Sequence, residues 1–417
     1  MITGLLGRSL SHSFSPRVHQ LLGNPYYRLF ETDDPVSWIK TTDFSGINVT
    51  APYKTQLISS LDRCDPIVEK TGSVNCIVKK DNQLLGYNTD AFGLSATLSH
   101  YQVDPCGKTV VLLGNGGVAR SATQVFLDHG AKQVIKLCRQ VRGENEFLFS
   151  DSSQISHCDI LVNATPNGMY PENNAPIIAP LDLVKTASVV IDLIYNPLRT
   201  PFLLTAKAMG KQTVNGLYLL VAQAKKTHEL FFDASLSSED VFRIFQQLQA
   251  ELSNIVFIGL PLSGKSLYGK KLSQLTSKPF IDTDTEIETK MGMSIPDIFT
   301  RYGEARFREL ELMTVKDLYQ KHGLIIACGG GLVLNSEAMA LLQQNGVIVY
   351  LDKDPQAIAA RQIRNRPLLQ NAADIFKIAQ NRIPLYQQHA DIHLKIHPSR
   401  HDQLSEIEAK LNEYLRH

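Results

Sequence analysis

The eight residues Gly259-Leu260-Pro261-Leu262-Ser263-Gly264-Lys265-Ser266 satisfy the pattern GxxxxGK[ST]. A loop of this kind turns successive backbone N–H groups toward phosphate oxygens, while its lysine neutralises the outer phosphates and its hydroxyl ligates Mg²⁺. Gly259, Gly264, Lys265 and Ser266 are therefore expected to hold ATP and its metal. Asp282-Thr283-Asp284 follows a strand-like stretch and offers one carboxylate for the magnesium sphere and another to accept a hydroxyl proton. Further on, Arg308 and Glu311 stand three apart, on one face of a helix, a spacing that also makes ordinary surface ion pairs.

A second glycine loop, Gly114-Asn115-Gly116-Gly117-Val118-Ala119, fits the dinucleotide pattern GxGxxA after the apolar run Thr109–Leu113. The strand expected at 134–137 ends in Cys138-Arg139-Gln140, where an NAD-binding chain would carry Asp or Glu for the ribose hydroxyl. A guanidinium at Arg139 suits a 2′-phosphate and favours NADP over NAD, although a strand-end arginine is also an ordinary solvated residue. Upstream, Ser11-His12-Ser13-Phe14-Ser15-Pro16, Asn48 to Lys54, Gly72 to Asn75 and Gly86 to Asp90 gather short hydroxyl and amide side chains. Such groups bind a polyhydroxylated acid well, and they equally make turns and caps.

The elements that must position these residues can be read from short apolar runs followed by glycine turns. Runs at Thr109–Leu113, 255–258 and 325–328 precede Gly114, Gly259 and Gly329, and each is followed by a helical pattern. Strand, glycine turn, helix is the opening of a βαβ unit in a parallel sheet. Residues 236–252 read as an amphipathic helix capped by Ser237 or Ser238, and a strand is expected from Ile255. The junction is about three residues long, without a flexible linker, and the main domain boundary falls there.

A chain of 417 residues exceeds one hydrophobic core. With 42 basic and 41 acidic residues it has no bulk field for nucleic acid or membrane, so anion binding must be local. The six cysteines contain no CxxC pair, which fits a reducing cytoplasm, and the start lacks the pattern of a signal peptide. No apolar run approaches the ~18 residues of a membrane span.

The first half resembles the shikimate dehydrogenase family along its length, including Asn163 to Met169, Asp192-Leu193-Ile194-Tyr195-Asn196-Pro197 and Asn215 to Gln223. The resemblance implies that Ser13 and Ser15 hold a substrate carboxylate and that Thr50, Asn75, Asp90 and Gln223 hold ring hydroxyls. It makes Lys54 and Asp90 the catalytic pair, and Gly114, Gly116, Gly117, Ala119, Arg139 and Gly216 the NADP(H) contacts. Reducing a ring ketone needs a proton delivered to the developing alkoxide, which a lysine beside a carboxylate can supply. Two departures bear on the cofactor: Leu219 stands where the family commonly has methionine, and Cys138-Arg139-Gln140 replaces the usual Asn-Arg-Ser or Asn-Arg-Thr.

The second half resembles shikimate kinases over nearly all of 255–395, in the DTD triplet, Gly303 to Glu311, Gly329-Gly330-Gly331, Arg366-Pro367-Leu368-Leu369 and Arg382 to Tyr386. The resemblance implies that Asp284 activates the acceptor hydroxyl, that Asp282 sits by Mg²⁺, and that Arg308 and Arg382 grip a carboxylate. Gly329, Gly330 and Gly331 would present backbone N–H groups to the ring. Arg366 would lie on a lid and stabilise the transferring phosphoryl. The 361–366 stretch is shorter than most such lids, and either Arg361 or Arg364 could assist.

The expected architecture is α/β throughout. Residues 1–97, completed by 217–252, form a substrate domain, 98–216 a Rossmann NADP-binding domain, and 255–417 a P-loop kinase domain with a parallel sheet. Small-molecule substrates, 3-dehydroshikimate and shikimate, are the expected partners, and the oligomeric state is left open. Quinate as a substrate and a catalytically dead metabolite sensor are the alternatives. A dead sensor predicts damage at Lys54, Asp90, Lys265 or Asp284, and all four are intact.

Overall fold

Three β-sheets organise the described residues, 2–10, 13–360, 372–396 and 403–416 of a computed structural model. Two belong to the unit Met1–Leu248 and one to the unit Gln249–His417.

The first sheet contains β1 (Thr3–Gly7), β2 (Arg28–Glu31), β3 (Gly46–Val49), β4 (Arg63–Cys64), β5 (Cys76–Lys80) and β6 (Gln83–Tyr87), in the order β2-β1-β3-β5-β6-β4. β1 and β3 are parallel, whereas β5 runs antiparallel to both β3 and β6. The ends of β1, β3 and β6 and the start of β5 therefore meet at one edge. The loops carrying Ser13, Thr50, Lys54 and Asn75, and the first turn of the helix carrying Asp90, all lie at that edge.

The second sheet contains β7 (Thr109–Leu113), β8 (Gln133–Cys138), β9 (Glu146–Leu148), β10 (Ile160–Asn163), β11 (Val189–Asp192) and β12 (Gln212–Val214). It is wholly parallel, in the order β12-β11-β10-β7-β8-β9, which reverses at β7 as in a dinucleotide-binding fold. Alternation along β7 sends Val110 and Leu112 into one core and Val111 and Leu113 into another, so the sheet is covered on both faces.

The third sheet, β13 (Asn254–Ile258), β14 (Phe280–Asp282), β15 (Ile325–Ala327), β16 (Gly346–Asp352) and β17 (Ile392–Lys395), is also parallel, in the order β14-β15-β13-β16-β17. Val256 and Ile258 face one core, Ile255 and Phe257 the other. β13 lies between β15 and β16, so the loop leaving it opens at a switch point of the sheet.

Helix Ser238–Leu252 is capped reciprocally: Ser237 Oγ accepts from Asp240 N at 3.1 Å, and Asp240 Oδ2 accepts from Ser237 N at 3.1 Å. β13 begins at Asn254, so Ser253 alone separates helix from strand, a tighter junction than the expected three residues.

Candidate active sites

In the first unit Lys54 Nζ and Asp90 Oδ2 lie 2.6 Å apart, each side chain largely buried. Asn75 donates through Nδ2 to Asp90 Oδ1 at 2.8 Å and accepts the Thr89 N–H at 2.6 Å. The Thr89 hydroxyl lies 3.3 Å from Gln223 Oε1, and Gln223 donates to Leu220 O at 2.9 Å. Helix Thr89–His100, which carries Asp90, approaches helix Leu217–Phe232 closely because Gly93 lacks a side chain: a Cβ there would stand 2.8 Å from Leu219 O. Thr50 follows β3 and packs beside Gly7 at the end of β1. Ser13 Oγ accepts from Ser15 N at 3.2 Å. Lys54, Asp90, Asn75 and Gln223 are thus brought into one network, with Ser13 and Thr50 on loops from the same sheet edge and Ser15 opening helix Ser15–Leu21.

Sequence reasoning missed two contributors here. Tyr195 hydrogen-bonds with Ser13, and its ring meets Phe14 at 5.6 Å. The loop bearing it is fixed by the buried Asp192, which accepts from Ile194 N at 3.1 Å, Asn163 Nδ2 at 3.0 Å and Thr200 Oγ1 at 2.6 Å. The ordered run Asp192 to Pro197 was the available signal, but neither role is visible in residue type.

The dinucleotide loop abuts this network. A Cβ on Gly117 would lie 3.1 Å from Ser73 Oγ and 3.7 Å from Lys54 Cβ. Helix Gly117–Asp128 starts after Gly116 with no side-chain cap, leaving its first N–H groups suited to a phosphate, and the buried Ala119 seats it on the sheet. Gly114 has φ +103°, and a Cβ there would meet Thr165 Cγ2 at 2.8 Å. A Cβ on Gly216 would collide with Leu193 O. Arg139 is exposed at the end of β8. These residues fit a phosphorylated dinucleotide.

In the second unit Gly259 (φ +146°) and Gly264 (φ +107°) shape the loop into helix Lys265–Thr276, whose N-terminus again has no side-chain cap. Lys265 Nζ donates to Gly259 O and Leu260 O, both at 2.9 Å, so its ammonium lies across the loop it serves. Ser266 Oγ donates to Asp282 Oδ2 at 2.5 Å, and Asp282 Oδ1 accepts from Asp284 N at 3.1 Å. A hydroxyl beside a carboxylate is a hard-oxygen pair that fits Mg²⁺ when phosphate and water oxygens complete its sphere.

Asp284, Glu311 and Arg308 gather around the glycine triplet. A Cβ on Gly329 would collide with Asp284 Oδ1, and one on Gly331 with Arg308 Nη1. Arg308 donates to Glu311 Oε2 at 2.6 Å and to Glu304 Oε1 at 2.8 Å. Glu311 is 1% exposed, so this pair is no surface bridge. Burial pushes the Glu311 carboxyl above the usual carboxylate range, and the Arg308 guanidinium pulls it back. Arg382, also buried, hydrogen-bonds with Tyr386, whose hydroxyl donates to Gly330 O at 2.5 Å. Cys328 follows β15 among Lys265, Asp284 and Glu311, and burial raises its thiol pKa strongly. Arg361, Arg364 and Arg366 lie outside the described residues.

A dinucleotide loop beside a lysine–carboxylate pair, followed in the same chain by a phosphate loop beside the Asp282 and Asp284 carboxylates, defines a nucleotide-dependent α/β enzyme of two modules. The family model described as shikimate dehydrogenase substrate binding domain matches residues 5–77, and that described as shikimate kinase matches residues 261–412. The chain is 34% identical over 264 residues to the shikimate dehydrogenase (NADP(+)) of Clostridium beijerinckii, covering 58% of this chain and 97% of that protein. It resembles the crystal structure of a chorismate mutase/shikimate 5-dehydrogenase fusion protein from Clostridium acetobutylicum, with a TM-score of 0.57, 33% identity, and coverage of 60% of this chain and 97% of that one. Shikimate dehydrogenase 1 from Peptoclostridium difficile gives a TM-score of 0.56 and 36% identity over the same shares. The chain belongs to the shikimate dehydrogenase family, with a shikimate kinase domain fused C-terminal to it.

Proposed function

We propose that this chain catalyses two consecutive reactions: NADPH-dependent reduction of 3-dehydroshikimate to shikimate by residues 1–252, and ATP-dependent phosphorylation of shikimate to shikimate 3-phosphate by residues 255–417. The observation that carries the first reaction is the Lys54–Asp90 pair at 2.6 Å beside Gly117 of the dinucleotide loop. The nicotinamide supplies the hydride. Lys54 delivers a proton to the developing alkoxide, and the Asp90 carboxylate keeps the ammonium aimed and shares the ring hydroxyl. Asn75 fixes Asp90 through its second oxygen, so the pair is set before substrate arrives. Ser13 and Ser15 take the carboxylate, and Thr50 and Gln223 take further hydroxyls.

The second reaction rests on Asp284, Arg308, Glu311 and the glycine triplet meeting at one point. Asp284 accepts the acceptor hydroxyl proton, while Arg308 and Arg382 grip the substrate carboxylate with planar forks. Glu311 orients Arg308. Ser266 and Asp282 would hold Mg²⁺, which draws charge from the phosphates, and Lys265 neutralises the outer phosphate oxygens. No helix among the described residues is long and apolar enough to cross a membrane, which accords with a cytoplasmic enzyme of small-molecule metabolism.

Purified protein given 3-dehydroshikimate, NADPH, ATP and Mg²⁺ should oxidise NADPH and form ADP in equal amounts. Failure to oxidise NADPH overturns the first assignment. Failure to form ADP when shikimate is supplied directly overturns the second.

A further inference from the structure

Parallel neighbours in a sheet are usually joined by a crossover of about a dozen residues or more, commonly a helix. β8 and β9 are parallel, yet residues 139–145 alone connect them. A connection this short has little secondary structure of its own to fix it, and it is the segment that carries Arg139 and Arg142.

What fixes it is one carboxylate. Glu146 opens β9 opposite Lys136, and its side chain is only 7% exposed. Its Oε2 accepts from Arg142 N at 2.9 Å and from Asn115 Nδ2 at 3.0 Å, with Cys138 Sγ at 3.9 Å. Its Oε1 accepts from Lys136 Nζ at 3.1 Å. Asn115, inside the dinucleotide loop, donates in addition to Gln140 O at 2.9 Å. The carboxylate therefore ties the backbone of the Arg139–Arg142 turn, the dinucleotide loop and β8 to one another. Both its oxygens are engaged inward, so it is not placed as an acid that reads a ribose hydroxyl. Glu144, the other acid of the turn, faces solvent. The Arg142 guanidinium folds toward Gln140 Oε1 at 3.3 Å, and Arg139 stands exposed.

We propose that Glu146 is a positioning residue for dinucleotide selectivity: it holds the Arg139–Arg142 turn against Asn115 so that the two guanidinium groups face the 2′-phosphate of the cofactor. The proposal rests on the NADPH reading given above. Its reach is confined to the adenosine end of the dinucleotide, because Lys54 and Asp90 make no contact with Glu146 among the described hydrogen bonds and ion pairs.

The test is Glu146→Gln. One oxygen remains, and the charged Lys136 claims it, so the new amide N–H₂ faces two other donors, Asn115 Nδ2 and Arg142 N, and the turn is released. By calorimetry, Kd for NADPH and for adenosine 2′,5′-bisphosphate should rise about tenfold, the scale of one charge-assisted contact. Kd for NADH should stay within about twofold, and KM for NADPH should rise at nearly constant kcat. Adding Lys136→Met frees the amide oxygen to turn back to Asn115 and Arg142, and the double variant should recover most of the NADPH affinity. If Glu146→Gln is poorly folded, Glu146→Asp, which keeps the charge but draws the oxygens back from Asn115 and Arg142, should give the same split between NADPH and NADH. In an NADPH-selective wild type, equal losses for both dinucleotides, or no loss for either, overturn the proposal. A wild type that binds NADPH and NADH equally overturns the cofactor reading itself, and the proposal with it.

Discussion

Lys54 and Asp90 meet at 2.6 Å although they stand on different elements, Lys54 in the loop after β3 and Asp90 in the first turn of helix Thr89–His100. The carboxylate accepts from Asn75 on its other oxygen, so removing the ammonium leaves Asp90 held but without its proton donor. Lys54→Ala is expected to lower kcat for dehydrogenation by about 10²–10⁴-fold and to leave phosphorylation of added shikimate unchanged. Asp284→Asn should do the reverse, and loss of both activities in either folded variant would contradict two separate modules.

Gly331→Ala places a methyl group against Arg308 Nη1. The guanidinium must move away from Glu311 Oε2, to which it is bound at 2.6 Å. KM for shikimate in the kinase assay should rise about tenfold or more, the scale of one charge-assisted bond, with the dehydrogenase rate unaltered. An unchanged KM would show that Arg308 does not touch the substrate.

Gly93→Ala replaces a helix-interior glycine, which by propensity alone would stabilise by about 1 kcal/mol. Here the new Cβ would lie 2.8 Å from Leu219 O and 3.0 Å from Gln223 Cβ, so helix Leu217–Phe232 must be pushed outward. Overpacking of this kind costs about 1–3 kcal/mol, and the balance should be a net loss in urea unfolding together with a higher KM for the dehydrogenase substrate, as Gln223 is displaced.

His19 is fully buried and stacked on Tyr27, with ring centroids 3.8 Å apart. Burial, with a smaller contribution from His228, lowers its pKa from 6.5 to about 3. The unfolded chain then binds more protons than the folded one between those values, so His19 leaves stability intact above pH 6.5 and erodes it as the pH falls toward 3. Between pH 6.5 and 5 this amounts to about 2 kcal/mol. His19→Phe keeps a stacked ring and should remove that part of the acid sensitivity, read from urea midpoints at the two pH values.

Much of this protein was legible locally. Gly259, Gly264 and Gly114 adopt positive φ, which side-chain-bearing residues rarely do, so a phosphate-loop conformation leaves its mark in residue type. The apolar runs ahead of these glycines became β7, β13 and β15, because strands buried on both faces read as continuous apolar stretches. Arg308 and Glu311 were legible as an i,i+3 pair, but their spacing is the same on a surface and in a pocket. Only the packing that buries Glu311 beside Gly329 and Gly331 decides between them.

The sequence by itself determined the order of the modules and the two nucleotide loops, each a short contiguous pattern, the second of which includes Lys265, while Lys54, Asp90 and Asp284 were nominated only through the family motifs they sit in. Tertiary structure decided which groups answer one another. Tyr195 reaches Ser13 from a loop far along the chain, Tyr386 reaches Gly330 from another helix, and Glu146 gathers Asn115, Lys136 and Arg142. These meetings follow from strand order and register, which bring remote residues to one sheet edge, and a hydrogen bond between distant segments leaves no periodic trace in either of them.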